Sequence, residues 1–359
     1  MRILAINPGS TSTKIAVYDD ENVVMTRNIA HRAEDLKQFK EGMDQFEFRK
    51  QLIVDELLAA GIPVRFDAVI GRGGLARPVE GGVYKVTEKM LDDIRQMKDH
   101  RHACNLGSMI AYELAKDIPG CLSLMADPGS VDELLPEVRI SGWPELERIC
   151  IWHALNQRAI ARRFAKEHNT SYDKVNLIMC HLGGGISIAA HRQGKAVDAN
   201  NALDGEGPFS PERSGSLPVA ALIKMCFSGQ YTQEELLKRV AGKGGLTAHL
   251  GTNDVRAVLQ RIADGDEKAE LVLNAMLFHT AKAIAAEGAV LCGKVDAIIL
   301  TGGLVYSDYI VEKLRERISF LAPVYCYPGE NEMEALAMNA LAVLRGEFTT
   351  KDYDQGTTL

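Results

Sequence analysis

The sequence has no Cys-x-x-Cys pair, no excess of basic residues and no low-complexity segment. No apolar run approaches the ~18 residues of a membrane span. Each absence excludes something. The formal net charge of −7 disfavours nucleic acid, which is normally met by a basic patch. The seven cysteines (Cys104, Cys121, Cys150, Cys180, Cys226, Cys292 and Cys326) are odd in number and widely spaced. They read as reduced, mostly buried thiols of a cytoplasmic protein rather than a disulfide framework. The opening run Ile3-Leu-Ala-Ile6 is too short for the core of a signal peptide. Two phosphate fingerprints are also missing, the Walker GxxxxGK[ST] and the dinucleotide GxGxxG. What remains is an ordinary globular composition, 46% hydrophobic and 25% charged, in 359 residues. That length suggests two domains, each able to bury a sizeable core.

Short β-rich runs alternate with helical stretches, which predicts α/β layers. Strands are expected at Arg2–Ile6, Lys14–Tyr18, Phe66–Ile70, Leu122–Ala126, Val175–Cys180, Ile186–Ala190, Ala297–Leu300 and Val324–Tyr327. A helix over Phe46–Ala60 should stop at Gly61 and Pro63. Pro144 suits the first turn of a long helix reaching about His168 and carrying His153. Thr232 and Glu235 fit a capping box, and the alanine-rich Glu267–Leu291 should be a helix buried between layers. The tail beyond Gly346 reads as a frayed terminus. One pattern occurs twice. Ile3–Tyr18 and Asn176–Ala190 each read as strand, small polar turn, strand, which suggests two related domains.

The turns carry the chemistry. In Asn7-Pro-Gly-Ser-Thr-Ser-Thr-Lys14, small residues let backbone N–H groups approach an anion. Ser10 and Ser12 add hydroxyls and Lys14 adds positive charge, a set suited to phosphate or simply to a solvated hairpin turn. His181-Leu-Gly-Gly-Gly185 follows an apolar strand with bare backbone (Gly183, Gly184, Gly185) that can wrap a polyphosphate. His181 itself is open to two readings, a donor to phosphate or a cap on the strand end. Thr301-Gly302-Gly303 places glycines at a third strand end, where ligands of α/β folds collect. Arg72, in Gly-Arg-Gly-Gly, and Arg213, in Ser-Pro-Glu-Arg-Ser-Gly, sit on turns. There a guanidinium fork can meet phosphoryl oxygens or make an ordinary loop salt bridge. Asp127, before Pro128-Gly129, could hold a metal, orient an arginine or cap the next segment. His153 alone reads as either a core histidine or a site residue.

In this order, these motifs resemble the acetate kinase family, over roughly residues 1–345, and within it most resemble the butyrate and branched-chain fatty acid kinase branch. The resemblance implies roles. Asn7 and Glu332 would serve Mg²⁺, and Lys14 the ATP phosphates. Arg72 would receive the carboxylate, and Asp127 would be the essential acidic residue. His153 and Arg213 would stabilise the transition state. His181 to Gly185 would wrap the phosphates, with Asp254, Arg256, Gly302 and Gly303 near the adenosine. The chain departs from the family in having Arg72 where acetate kinases have histidine, Gln157 at a second histidine position, and Gly302-Gly-Leu-Val-Tyr-Ser307 in the adenosine motif. A further family histidine falls near Asn105, with His102 close to it in the sequence.

The implied fold is a duplicated RNase H-like pair of domains, as in the actin, sugar kinase and chaperone ATPase superfamily, around a central cleft. The first domain would hold residues 1–150 plus about 334–359 and the second residues 151–333. The implied reaction is reversible in-line transfer of phosphate from ATP to a short-chain fatty acid, giving ADP and an acyl phosphate, with Mg²⁺ and no tightly bound organic cofactor. Acetate or propionate remain alternative acids. A non-kinase ATPase switch or a sugar kinase of the same superfamily are alternatives of another kind. The expected partners are the nucleotide and the acid, in a homodimer or larger homo-oligomer without nucleic acid or membrane.

Overall fold

A computed structural model of the chain describes residues 1–75, 77–96 and 103–354. The chain divides into two compact units. The first is Met1–Asp132 with Ala154–Asn156 and Asn331–Leu359; the second is Glu133–His153 with Gln157–Glu330.

The first unit is built on strands β1 (Arg2–Pro8), β2 (Ser12–Asp19), β3 (Asn22–Ala30), β4 (Ala68–Arg72), β5 (Val83–Lys85) and β6 (Leu122–Ala126), in the order β3-β2-β1-β4-β6-β5. β1, β2 and β3 form an antiparallel meander, and β4 and β6 continue the sheet in parallel. β1 and β4 are apolar on successive residues, as expected of strands covered on both faces. Helices Leu106–Ala115 and Glu332–Leu344 both pack against these two strands.

The second unit repeats the plan. Strands β7 (Asn176–Leu182), β8 (Ile186–Arg192), β9 (Lys195–Ala199), β10 (Ala297–Gly302) and β11 (Val324–Pro328) run in the order β11-β10-β7-β8-β9. Again an antiparallel meander (β7, β8, β9) is extended by parallel strands on the side of its first member. The two hairpins seen in the sequence, β1–β2 and β7–β8, therefore occupy equivalent places in two sheets that share a five-strand plan, to which the first adds β5, antiparallel to β6 at its edge. Helix Glu267–Val290 packs against β8, and the face it buries is formed mainly by Leu273, Met276, Leu277, Ala281 and Ile284.

Three strands escape sequence reading. β3 buries only Met25, so it has no alternating pattern, and β5 and β9 are short. The long helix from Pro144 does not form. Residues 141–153 are irregular, and the helix is Ala154–Glu167 with His153 at its N-cap. Trp143, Leu146 and Ile149 remain 60%, 56% and 51% exposed, so a helix here would have no apolar face to bury. Arg148 instead ties the segment to Glu206 at 2.6 Å and Asp198 at 3.2 Å. The tail is not frayed as far as Asp354. Tyr353 is buried, edge-on to Tyr84, with the Arg77 guanidinium 4.2 Å from its ring centre.

One close approach governs the site geometry. A Cβ on Gly71 would lie 2.0 Å from the Gly107 carbonyl oxygen, and one on Gly107 would lie 2.3 Å from that of Arg72. Only hydrogen at both positions lets the start of helix Leu106–Ala115 rest on the end of β4. Gly71→Ala is expected to cost about 2–3 kcal/mol or more, because rigid backbone must move. Urea unfolding measures this, and a loss below about 0.5 kcal/mol would refute the packing argument.

Candidate active site

Two clusters form at the carboxyl ends of the central strands, one in each unit.

In the first unit, the β1–β2 register pairs Asn7 with Lys14 and Pro8 with Thr13, leaving a turn closed by Gly9 N–H donating to the Ser12 carbonyl at 2.8 Å. Ser10 and Lys14 are exposed and Ser12 half-buried. Beneath the turn lies Arg49, from helix Phe46–Ala59, with no exposed surface. Its guanidinium donates to the carbonyls of Ser10 (3.1 Å) and Ser12 (3.0 Å), to Thr13 Oγ1 (2.9 Å) and to Gln45 Oε1 (2.7 and 2.9 Å). Burial pushes this guanidinium down to about 10. His31 lies 2.9 Å from Thr13 Oγ1 through Nε2, and its backbone N–H donates to the Thr11 carbonyl at 2.9 Å.

Arg72 leaves the end of β4 and donates to Asn7 Oδ1 at 3.4 Å and to Glu332 Oε2 at 3.3 Å, with its other amine 3.3 Å from Glu332 Oε1. Asn7 Nδ2 donates to the same carboxylate. Asn331, left-handed at φ 47°, turns the chain so that the buried Glu332 opens the final helix. The loop after Arg72 is held by Asn105, whose Oδ1 accepts from Leu75 N–H at 2.7 Å. His102, near the position of a family histidine, lies outside the described residues. Asp127 follows β6 with φ 39° and is buried; its Oδ1 accepts from Gly82 N–H at 2.8 Å.

In the second unit, the β7–β8 turn is closed by Gly183 N–H donating to the Gly185 carbonyl at 3.1 Å. His181 is buried at its start, stacked on His153 with ring centres 3.9 Å apart and planes 12° apart. His153 Nδ1 lies 2.9 Å from Ser187 Oγ. The Ser210–Gly215 loop docks on the glycine turn, with Ser210 Oγ donating to the Gly184 carbonyl at 2.6 Å. Arg213 lies directly over Gly185, where a Cβ would come 2.2 Å from its Nη1, and that nitrogen donates to the Ala202 carbonyl at 2.6 Å. Burial lowers this guanidinium below its ordinary range, opposed by Glu212 and Asp204.

Asp254 caps helix Val255–Ala263, accepting from Arg256 N–H at 3.0 Å, and the Arg256 side chain is 92% exposed. Their turn reaches the glycine loop through Asn253, which donates to Glu212 at 3.2 Å; the other Glu212 oxygen lies 3.3 Å from a Cβ built on Gly184. Gly302, at φ 95°, exchanges hydrogen bonds with Gly329 at 3.1 and 3.0 Å, and Gly303 opens a short 3₁₀ turn. A separate cavity of about 750 Å³, lined by residues such as Phe209, Leu217, Met225 and His249, contains none of the site residues named from the sequence.

Sequence reasoning missed Arg49, His31, Asn105, Ser187 and Glu212. Arg49 had a usable signal, because Arg49, Ile53 and Leu57 are the buried residues of their helix at a spacing of four. An arginine on that stripe marks a polar task inside the core. Asn105 gave no signal, since its partner is 30 residues away in sequence.

His31 also predicts a pH dependence. Burial, then the Arg49 charge, pushes its imidazole down to about 4 from 6.5. Between those values the unfolded chain binds a proton that the folded chain does not, so stability is lost as pH falls from about 6.5 toward 4. His31→Gln is expected to flatten that part of the stability–pH curve. An unchanged slope would show that His31 does not carry it.

Residues 149–326 match the profile of the acetokinase family. A probable butyrate kinase of Bacteroides thetaiotaomicron is 61% identical over 98% of this chain and 100% of its own length. The solved acetate kinase of Porphyromonas gingivalis shares the fold at TM-score 0.79 and 19% identity, covering 96% of this chain and all of that one. A propionate kinase of Francisella tularensis does so at TM-score 0.72 and 19% identity, covering 94% and 98%. The chain belongs to the acetokinase family, the phosphotransferases that take a carboxyl group as acceptor. Its fold is the two-domain α/β fold of that family, and no helix among the described residues is long and apolar enough to cross a membrane.

Proposed function

We propose that this chain phosphorylates a short-chain fatty acid, butyrate or a branched relative, at the expense of ATP. The observation that carries the reading is the near-full-length 61% identity to a probable butyrate kinase. The polar cluster of Asn7, Arg72 and Glu332 supports it with a cation held ready for an anionic substrate.

A carboxylate is already ionised at neutral pH, its reference pKa being near ~4, so no general base is required. One carboxylate oxygen attacks the γ-phosphorus. The new P–O bond forms as the bond to the β-phosphate oxygen breaks, and its electron pair leaves with ADP. We assign Arg72 to the acid's carboxylate, and Arg213 and His153 to the equatorial oxygens of the transferring group. Lys14, Ser10, Ser12 and the His181–Gly185 turn take the nucleotide phosphates. Asp254, Arg256, Gly302 and Gly303 lie toward the adenosine. Asp127, fixed by Gly82, orients charge in the site rather than removing a proton. Catalysis then rests on alignment and on charge already in place.

The Asn7 amide and the Glu332 carboxylate present hard oxygens on which the Arg72 cation already sits, a donor set that fits Mg²⁺ completed by water and phosphate oxygens. Bound there, Mg²⁺ would neutralise charge on the phosphates. We further propose a cytoplasmic homodimer or larger homo-oligomer, as expected of the family.

Trapping the acyl phosphate with hydroxylamine across acids of two to six carbons tests the reading. The hydroxamate signal should peak at four carbons or a branched relative. A peak on acetate would replace the acid but keep the chemistry. ADP release without any added acid would overturn the kinase reading.

A further inference from the structure

The buried hydrogen bonds behind His153 run in one direction, and together they determine which of its ring nitrogens carries the hydrogen. We propose that Ser187, Gln157, His191 and Tyr172 form a one-way relay that holds His153 with Nδ1 bare and the ring hydrogen on Nε2, a fixed donor for the transferring phosphoryl group. The inference rests on the role assigned to His153 above.

The direction is set at the Ser187 carbonyl. It lies 3.0 Å from the Gln157 amide, and because a carbonyl only accepts, the group facing it must be the NH₂. The other NH₂ hydrogen reaches Ser187 Oγ at 3.0 Å. Gln157 Oε1 is thereby turned to His191 Nε2 at 3.2 Å, so that nitrogen carries a hydrogen. His191 is fully buried, and desolvation, with Arg158 and Arg162 nearby, lowers its imidazole well below the ordinary value and keeps it neutral. Its Nδ1 is then bare and accepts from Tyr172 O–H at 2.7 Å.

The near end closes in the same way. Ser187 Oγ accepts from Gln157 and from the His153 backbone N–H at 3.3 Å, which fills its two lone pairs. Its single hydrogen has one remaining destination, His153 Nδ1 at 2.9 Å. Nδ1 is therefore an acceptor, and the ring hydrogen resides on Nε2. Glu330 lies 4.0 Å from Nε2 of the stacked His181. Ser187, Gln157 and His191 are wholly buried, so water cannot supply a substitute partner. In this arrangement Gln157 is a directional element, since its amide has one donating and one accepting end.

Nitrogen-15 NMR of histidine-labelled protein reads the tautomer directly, with His153 assigned by its disappearance in His153→Gln. The expected wild-type spectrum shows a bare Nδ1 and a protonated Nε2. Ser187→Ala should mix the two tautomers and lower kcat by about tenfold or more, because a ring in the wrong tautomer offers no proton. KM for ATP and acid should change less than about twofold, the loss being in the transition state. Ser187→Thr, which keeps the hydroxyl, should restore both readouts. A wild-type spectrum with the hydrogen on Nδ1 would overturn the relay whether or not the variants fold, and so would Ser187→Ala with unchanged tautomer and kcat. The two readings fail separately. Full turnover in His153→Gln would remove His153 from catalysis while leaving the tautomer result standing.

Discussion

Arg213→Ala is expected to lower kcat on the order of a hundredfold with a smaller loss of stability. The arginine projects over the glycine turn that we assign to the nucleotide phosphates, on a loop held independently of its side chain. Ser210 N–H donates to the Arg213 carbonyl at 3.0 Å, and Ser210 Oγ is bonded to Gly184. The guanidinium's own bond to the Ala202 carbonyl, from a charged donor, contributes about 1.5–3 kcal/mol to folding, and relief of the burial that already lowers this guanidinium offsets part of it. One preorganised cation on the transferring group contributes about 3 kcal/mol to the barrier. The second effect dominates, so activity should fall while the protein stays folded. Gly185→Ala provides an orthogonal test. Its methyl group would occupy the space of the Arg213 Nη1 and Cζ, 2.2 and 2.6 Å away, and a flexible side chain yields before backbone does. It should reproduce much of the kcat loss with Arg213 still present. Near-wild-type turnover of Arg213→Ala at saturating ATP and acid would remove the residue from the mechanism.

Arg49→Met should destabilise the protein by about 2–4 kcal/mol and raise KM for ATP. Two effects oppose each other here. Removing a buried cation relieves the desolvation that has already pushed its guanidinium down to about 10. It also strips donors from the Ser10 and Ser12 carbonyls, Thr13 Oγ1 and Gln45 Oε1. Bonds from a charged donor contribute about 1.5–3 kcal/mol each, and acceptors left buried lose their hydration as well, so the lost bonds prevail. The turn from Asn7 to Lys14 then loses its floor, which is why the nucleotide should bind more weakly. Arg49→Lys should not rescue, since one ammonium cannot span the fork from Gln45 to Ser10. Denaturant unfolding and the ATP dependence of turnover measure the two effects. Wild-type values for both would show that the turn supports itself.

The parts legible in the sequence were those made by neighbours in the chain. The hairpins β1–β2 and β7–β8 announced themselves because apolar strands flank small polar turns, and their repetition pointed to two related units, whose sheets share a five-strand plan. The capping box at Thr232 and Glu235 formed, because both partners lie within one turn. The segment from Pro144 was misread for the complementary reason. Its local start signal, Pro144, was outweighed by the pairing of Arg148 with Asp198 and Glu206, 50 and 58 residues away. Tyr353 was likewise unreadable, as its partners Tyr84 and Arg77 lie far up the chain.

By itself, the sequence determined the two small polar hairpin turns, the charged residues beside them and the family to which the order of motifs belongs. These depend on residue types at fixed short spacings, which determine backbone freedom and donor chemistry without reference to the rest of the chain. Only the tertiary structure decided what stands behind them. It placed Glu332 against Asn7 and Arg72, Arg49 under the first turn, and the polar relay from Tyr172 to Ser187 behind His153. Those contacts join residues up to 325 positions apart, and a buried polar group must find its partner wherever the packed chain brings one.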